Sequence, residues 1–213
     1  MINKTQNKFA YYLGNPMYIN VTNLCTNECV FCIKSATDSV GGVNLVLEEE
    51  EFSHEDIIRE IKATFIENTK EIVFCGYGEP LIKLDIVKNV AKFIKENYPD
   101  LQVRINSNGQ GNLIHKRNIV PELVGLIDKI SISLNAENAE LYQELSNSRY
   151  EAETVYQAVK DFISECVKAN IETTATIVTG FGDYKIDVEK CRKITEELGA
   201  KFRIREWLPQ GYS

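Results

Sequence analysis

Short apolar runs rich in β-branched residues alternate with longer amphipathic segments along this chain. The runs predict six strands, at Tyr18 to Thr22, Glu71 to Cys75, Gln102 to Asn106, Lys129 to Leu134, Glu172 to Val178 and Lys201 to Arg205. A regular order of strand, helix and strand indicates parallel βαβ units with right-handed crossovers. We therefore expect an α/β fold with a parallel sheet.

Five amphipathic segments predict the helices between these strands. The first begins at Ser53, and Asp56 lies three residues later, which is the spacing of a capping box. The others are predicted around 87–93, 121–127, 152–168 and 186–198. Because ligands of parallel α/β folds bind at the carboxyl ends of the strands, the residues that directly follow each strand are the candidates for a site.

Composition limits the class of protein. The chain has 213 residues, of which 44% are hydrophobic, so we expect residues 1–213 to form a single domain. Its 24 Lys and Arg against 31 Asp and Glu give a formal charge of −7, whereas general nucleic-acid binding favours a basic surplus. No stretch approaches the roughly 20 apolar residues of a membrane helix, and the first residues lack the apolar core of a secretory signal. We expect a cytoplasmic protein with no membrane or nucleic-acid partner.

Three of the six cysteines, Cys25, Cys29 and Cys32, follow the first predicted strand with a Cys-x3-Cys-x2-Cys spacing. Thiolate is the natural protein ligand of iron in iron–sulfur clusters. Three cysteines leave one iron of a four-iron cluster without a protein ligand, so that this iron is open to chemistry. Structural zinc commonly takes four ligands in two separated pairs, and the sequence offers no second close pair of Cys or His. The spacing favours an iron–sulfur cluster over zinc.

Polar residues also follow the next three predicted strands. After the second strand, Gly76-Tyr77-Gly78-Glu79-Pro80 combines glycines, which allow close approach of a ligand, with a carboxylate able to neutralise an ammonium group. An ordinary tight turn explains the glycines but not the carboxylate. The third strand ends in Asn106-Ser107-Asn108-Gly109, although Asn-Gly is also a common turn former. The fourth ends in Ser133-Leu134-Asn135.

The cysteine spacing, with Phe31 directly before the last cysteine, resembles the defining motif of radical S-adenosylmethionine (radical SAM) enzymes. The resemblance extends along the chain and implies a partial (βα)6 barrel of parallel strands. It also implies two cofactors, a [4Fe-4S] cluster held by Cys25, Cys29 and Cys32, and S-adenosylmethionine (SAM). The runs from Tyr18 to Cys25, from Phe74 to Pro80 and from Arg203 to Pro209 look most like the TatD-associated radical SAM proteins, a name that gives no substrate.

The same resemblance implies which residues contact SAM. In the family, a Gly-Gly-Glu-Pro-like segment binds the methionine amino group; Tyr77 interrupts its first half here, so Gly78 and Glu79 match it better than Gly76. A Thr-Asn-Gly-like strand end lies beside the methionine carboxylate or the ribose, and a Ser-Leu-Asp strand end has Asn135 in place of the charged residue. Phe31 or its neighbouring backbone is implied to contact adenine. The implied contacts are Phe31, Gly76, Gly78, Glu79, Asn106, Asn108, Ser133 and Asn135.

The resemblance implies reductive cleavage of SAM to methionine and a 5′-deoxyadenosyl radical that abstracts hydrogen from a substrate, with the electron coming from a donor such as flavodoxin or ferredoxin. Arg203 and Arg205 share one face of the last strand. They either face the barrel interior and bind a carboxylate or phosphate, or pair with acids at the barrel edge.

We expect a small-molecule substrate, and a partner protein that receives a glycyl radical is the alternative. A noncatalytic iron–sulfur electron carrier is a different class of function. Such a carrier usually has a fourth close cysteine, and it needs no open iron. The sequence therefore favours an enzyme.

Overall fold

The structure is a computed structural model that describes residues 7–208. Its main sheet is built from β1 (Ala10–Tyr12), β2 (Met17–Ile19), β5 (Glu71–Phe74), β6 (Gln102–Ser107), β7 (Lys129–Ser133), β8 (Glu172–Thr179) and β9 (Lys201–Glu206), adjacent in that order. The last six run parallel, and β1 is antiparallel to β2 at one edge. A separate antiparallel ribbon pairs β3 (Ser39–Val40) with β4 (Val43–Asn44). The predicted α/β fold with six parallel strands is confirmed, and the topology is that of a partial barrel.

The α-helices are α1 (His54–Thr64), α2 (Leu84–Asn97), α3 (Gly111–His115), α4 (Val120–Leu123), α5 (Ala139–Ser146), α6 (Ala152–Lys168) and α7 (Val188–Glu197). The predicted capping box of α1 is confirmed: Ser53 Oγ accepts from the Asp56 N–H, and the Asp56 carboxylate accepts from the Ser53 N–H. None of the helices described within residues 7–208 is long and apolar enough to cross a membrane.

Two predicted elements are clearly shorter in the structure, and several elements were not predicted. The helix predicted at 121–127 is only the short α4, because Val124 is extended and Gly125 has a φ of +80°, which ends the helix. The strand predicted at Tyr18 to Thr22 is the three-residue β2, which ends at Ile19, although the Asn20 N–H still donates to the Phe9 carbonyl at 2.8 Å. The strand β1 and the helices α3 and α5 were not predicted. The chain end from Pro209 onward lies outside the described residues.

The two faces of the main sheet differ in polarity because alternate strand residues point to opposite sides. One face is apolar and packs against the helices in a single core, which includes Ile72, Phe74, Val103, Ile105, Ile130, Ile132, Ala175 and Ile177 from the strands and Val87, Val90, Val159 and Phe162 from the helices. Burial of such side chains stabilises the fold by about 1.5–3 kcal/mol each. The opposite face, which we call the polar face, carries Glu71, Arg104, Asn106, Lys129, Ser131, Ser133, Glu172, Thr174, Thr176, Lys201, Arg203 and Arg205.

Candidate active site

The three clustered cysteines lie on an irregular stretch that follows β2, at the carboxyl end of the parallel strands. We call residues 25–32 the cysteine segment. Its backbone is hydrogen-bonded to the chain around the end of α5: the Glu28 N–H donates to the Ser146 carbonyl (3.1 Å), and the Val30 N–H donates to the Leu145 carbonyl (3.0 Å). Cys25 is exposed, and Cys29 and Cys32 are half-buried. The thiols therefore stand at the edge of the sheet where ligands of this fold class bind.

Cys25 and Cys29 are protonated at neutral pH. Desolvation by the surrounding protein raises the pKa of Cys29 to about 12, and the neighbouring thiols add to this shift. Desolvation and then the nearby Glu79 carboxylate raise the pKa of Cys25 to about 11. A metal must displace these protons, so metal binding at this segment releases protons and is pH-dependent.

The cysteine segment offers three thiols, the ligand type that iron–sulfur clusters take. Within residues 7–208, no three His, Cys, Asp or Glu side chains are placed to hold one ion. Cysteines that bind a polynuclear cluster attach to different irons and need not converge on a single point. The Cys25 sulfur also has hydrogen-bond donors nearby, since the Asn27 N–H lies 3.5 Å from it. Three thiols on one accessible segment with such donors match the chemistry of cluster ligation.

Glu79 is a buried carboxylate at the carboxyl end of β5. Its oxygens accept hydrogen bonds from Leu81 N (3.0 Å), Ser107 Oγ (2.9 Å) and Asn108 N (2.6 Å). Only 2% of its surface is exposed, and burial raises its pKa to about 7. It forms no ion pair with the residues that the structure describes. A buried carboxylate without a cation is a suitable place for the ammonium group that the resemblance predicts.

The two glycines before Glu79 bring its loop against the start of the cysteine segment. A Cβ at Gly78 would lie 2.4 Å from the carbonyl oxygens of Thr22 and Leu24, and a Cβ at Gly76 would overlap the Asn20 side chain. The Glu79 N–H donates to the Leu24 carbonyl at 2.8 Å. The close approach that these glycines permit in the structure is thus to the protein's own backbone, and it places Glu79 next to Cys25.

Tyr77, the residue that interrupts the family pattern, anchors the β3–β4 ribbon. Its hydroxyl donates to the Thr37 carbonyl at 2.5 Å, and its buried ring packs with Tyr11 and Leu45. The departure from the pattern therefore has a structural role, because it fixes the loop that follows the cysteine segment.

The two asparagines of the β6 end have different environments. Asn106 lies on the polar face, where its Oδ1 accepts from Arg104 at 2.6 Å. Asn108 is buried and turned to the cysteine segment: its Nδ2 donates to Thr26 Oγ1 at 2.8 Å and lies 3.8 Å from Cys25 Sγ. The structure therefore brings Asn108 to the cysteines and leaves Asn106 facing the interior of the partial barrel.

The end of β7 supplies an open hydrogen-bond acceptor. Asn135 is buried with a φ of +59°, a conformation that Asn tolerates better than most residues. Its Nδ2 donates weakly to Ser146 Oγ at 3.5 Å, and its Oδ1 has no hydrogen-bond partner within the described chain. A buried amide oxygen of this kind is suited to accept a hydrogen bond from a ligand hydroxyl or amine. Ser133, two residues earlier, lies on the polar face.

Phe31 is buried in the core and packs edge-on against Phe181 at 6.2 Å between ring centroids. Phe181 follows β8 and in turn packs against Trp207, which follows β9, at 5.1 Å. With its ring covered in this way, Phe31 has little surface left for a ligand. The adenine contact implied for Phe31 or its neighbouring backbone stays a prediction.

Arg203 and Arg205 are on the polar face, where they are aligned with Thr176 and Val178 of β8, and the strand that carries them, β9, is the edge strand of the sheet. The strand residues of this face include five cations, Arg104, Lys129, Lys201, Arg203 and Arg205, and two carboxylates, Glu71 and Glu172. Glu71 pairs with Arg104 (3.0 Å) and Lys129 (3.6 Å), and Glu172 pairs with Lys201 (3.1 Å). Counted over these strand residues alone, cations outnumber carboxylates, although the chain as a whole has a net negative charge.

Sequence reasoning missed several buried polar residues around the cysteine segment. Gln110 is fully buried and hydrogen-bonds to Thr26, Asn27 and Tyr142. Its position directly after the β6 strand end was a usable signal, since polar residues at such ends of a parallel sheet gather at one site. Tyr142 lies on α5, which was itself not predicted, so no sequence signal pointed to it.

The parallel partial barrel and the cysteine segment at its carboxyl edge define a class of protein. The family model described as the Radical SAM superfamily matches residues 19–194. The chain therefore belongs to the radical SAM superfamily, whose members are enzymes.

Individual relatives are distant and longer. A probable GTP 3′,8-cyclase of Methanothermobacter marburgensis is 27% identical over 170 residues, covering 80% of this chain and 46% of the relative. A dual-specificity RNA methyltransferase RlmN of Hyphomonas neptunium is 24% identical, covering 87% of this chain and 49% of the relative. The chain thus spans about half the length of these curated relatives.

Solved structures show the same fold. Streptococcus suis SuiB bound to S-adenosylmethionine has a TM-score of 0.62 and 16% sequence identity, covering 92% of this chain and 40% of SuiB. SuiB bound to its precursor peptide SuiA has a TM-score of 0.63 and 17% identity, covering 93% of this chain and 40% of SuiB.

Proposed function

We propose that this chain is the catalytic barrel of a radical SAM enzyme in which Cys25, Cys29 and Cys32 bind a [4Fe-4S] cluster and SAM binds beside it. The observation that carries the proposal is the position of Glu79, a buried carboxylate without a cation next to the cysteine segment. Given one electron from an external donor, the bound cofactors would supply a 5′-deoxyadenosyl radical for hydrogen abstraction, and methionine would be the other product of SAM cleavage. The protein contributes binding, orientation and the exclusion of water.

The roles of the residues follow from their positions. Glu79 accepts a hydrogen bond from the ammonium group of SAM. The Ser107 hydroxyl and the Asn108 N–H donate to the Glu79 carboxylate and hold it in place. The open Oδ1 of Asn135 accepts a hydrogen bond from the SAM ribose or amine. Phe181 and Trp207 cover the carboxyl ends of β8 and β9 and restrict access of water.

The substrate is anionic. The cations of the polar face attract carboxylate or phosphate groups, whereas the net negative charge of the whole chain repels them. Arg203 and Arg205 are the two cations of this face nearest the carboxyl end of β9, the end at which the cofactors bind. The proposed substrate is a small molecule, and the proposed electron donor of the enzyme is a flavodoxin or ferredoxin of the cytoplasm. Within the superfamily, the runs 18–25 and 74–80 favour the TatD-associated group.

The test is anaerobic reconstitution with iron and sulfide, then reduction in the presence of SAM and chromatography for 5′-deoxyadenosine. We expect product from wild type and from Cys191→Ala, a buried cysteine outside the site, and none from Cys29→Ala. A wild-type protein that carries a full cluster but binds no SAM would refute the proposal.

A further inference from the structure

A buried network of amide and hydroxyl side chains, which we call the amide network, surrounds the first two cysteines of the segment. Its members are Thr26, Asn27, Asn108, Gln110, Tyr142, Ser146 and Ser148. Gln110 is its centre: Oε1 accepts from Thr26 Oγ1 at 2.6 Å, and Nε2 donates to Asn27 Oδ1 at 2.7 Å and to Tyr142 OH at 3.1 Å. One fully buried side chain thus joins the cysteine segment to α5.

The network fixes which end of the Asn108 amide faces the cysteines. Asn108 Oδ1 accepts from the Gln110 N–H at 3.0 Å, so the oxygen is turned to the backbone. The single hydrogen of the Thr26 hydroxyl is used on Gln110, so this hydroxyl accepts from Asn108 Nδ2. Both partners therefore place the N–H₂ group on the side of Cys25, where Nδ2 lies 3.8 Å from the sulfur.

Cys25 then has two N–H donors, the Asn108 amide and the backbone N–H of Asn27 at 3.5 Å. Hydrogen bonds to the ligand sulfurs are one of the factors that set the reduction potential of an iron–sulfur cluster. A donor stabilises the extra negative charge that the cluster acquires when it is reduced, and the reduction potential rises.

We propose that Asn108 is a positioning residue of the cluster, whose amide donates to the Cys25 sulfur and raises the cluster's reduction potential. This role differs from the SAM contact that the sequence resemblance implies for Asn108. The inference rests on the proposed function, because it requires the cluster to bind at the cysteine segment.

The experiment is an EPR-monitored redox titration of the reconstituted cluster without SAM, which measures the midpoint potential independently of turnover. Asn108→Ala removes the donor, and Asn108→Asp keeps the shape but replaces the N–H₂ group with an oxygen. We expect the midpoint potential to fall in both variants and to fall further in Asn108→Asp, because a negative charge then faces the sulfur. Asn118→Ala, at an exposed asparagine, serves as the control and keeps the wild-type potential.

The variant Tyr142→Phe distinguishes a purely structural role of the amide network from an effect of Asn108 on the reduction potential. This change removes the hydroxyl that accepts from Gln110 and Asn27 but leaves the Asn108 donor intact. We expect Tyr142→Phe to load less cluster and to keep the wild-type potential in the fraction that loads.

Loaded Asn108 variants with an unchanged potential would overturn the inference. Loss of the cluster in both variants would also overturn it, since Asn108 would then hold the segment and not tune it. A wild type that binds no cluster would instead refute the proposed function.

Discussion

Replacement of Glu79 by glutamine tests the centre of the proposed site. The carboxylate accepts hydrogen bonds from two backbone N–H groups and one hydroxyl, and it has no ion-pair partner within residues 7–208. Glutamine keeps the volume and removes the charge. We expect Glu79→Gln to fold and to assemble the cluster but to bind SAM weakly, because the ammonium group loses its counter-ion.

The size of the effect follows from the kind of bond that is lost. A hydrogen bond to a charged group contributes about 1.5–3 kcal/mol. Each 1.4 kcal/mol is about tenfold in a dissociation constant, so the Kd for SAM rises roughly ten- to hundredfold. In the glutamine variant the N–H₂ group also faces a group that donated a hydrogen bond to the carboxylate. That hydrogen bond is lost, which lowers the free energy of unfolding by about 1–3 kcal/mol.

The assay is an anaerobic calorimetric titration with SAM of the protein that carries its cluster, which measures the Kd. The matched control is Glu60→Gln, since Glu60 also accepts from two backbone N–H groups, those of Phe9 and Ala10, away from the cysteine segment. We expect the control to bind SAM as the wild type does. Equal affinities of wild type and Glu79→Gln, with both clusters loaded, would show that Glu79 only supports its own loop.

Two further predictions concern charge. Burial raises the pKa of Glu79 to about 7, so the folded chain binds this proton more tightly than the unfolded chain does. The protonated carboxyl group therefore contributes to the free energy of unfolding below about pH 4, and this contribution is lost as the pH rises towards 7. We expect urea unfolding of the cluster-free protein to show that the free energy of unfolding falls by about 3 kcal/mol at most over this pH range, and that Glu79→Gln removes this fall. The same pH dependence in wild type and Glu79→Gln would contradict the raised pKa. Inorganic phosphate should raise the melting temperature of wild type and of the surface variant Arg59→Ala/Arg192→Ala, but not that of Arg203→Ala/Arg205→Ala. A phosphate effect that persists without Arg203 and Arg205 would exclude this face as the anion site.

The sequence predicted those elements whose signal is local. The parallel strands β5 to β9 are each within one residue of the prediction at both ends, because their apolar runs are long and bounded by turn residues. The strand β1 has three residues, and α5 has eight, so neither gives a clear periodicity. The capping box of α1 was found because both of its partners lie within four residues of sequence.

Contacts between distant parts of the chain were outside the reach of such patterns. The orientation of Asn108 depends on Thr26, 82 residues away. The two glycines around Tyr77 were expected to make room for a ligand, whereas Gly78 is required by the nearby carbonyls of Thr22 and Leu24. In both cases the residue type was visible in the sequence, but its partner was known only from the fold.

The hydrogen bonds between the cysteine segment and α5 have a consequence for biosynthesis. They join residues 115 or more positions apart, such as Asn27 to Tyr142 and Glu28 to Asn147. The amino-terminal cysteines therefore leave the ribosome long before the part of the chain that fixes their backbone. If the three cysteines bind a cluster as proposed, they reach the arrangement seen in the structure only after α5 has been synthesised.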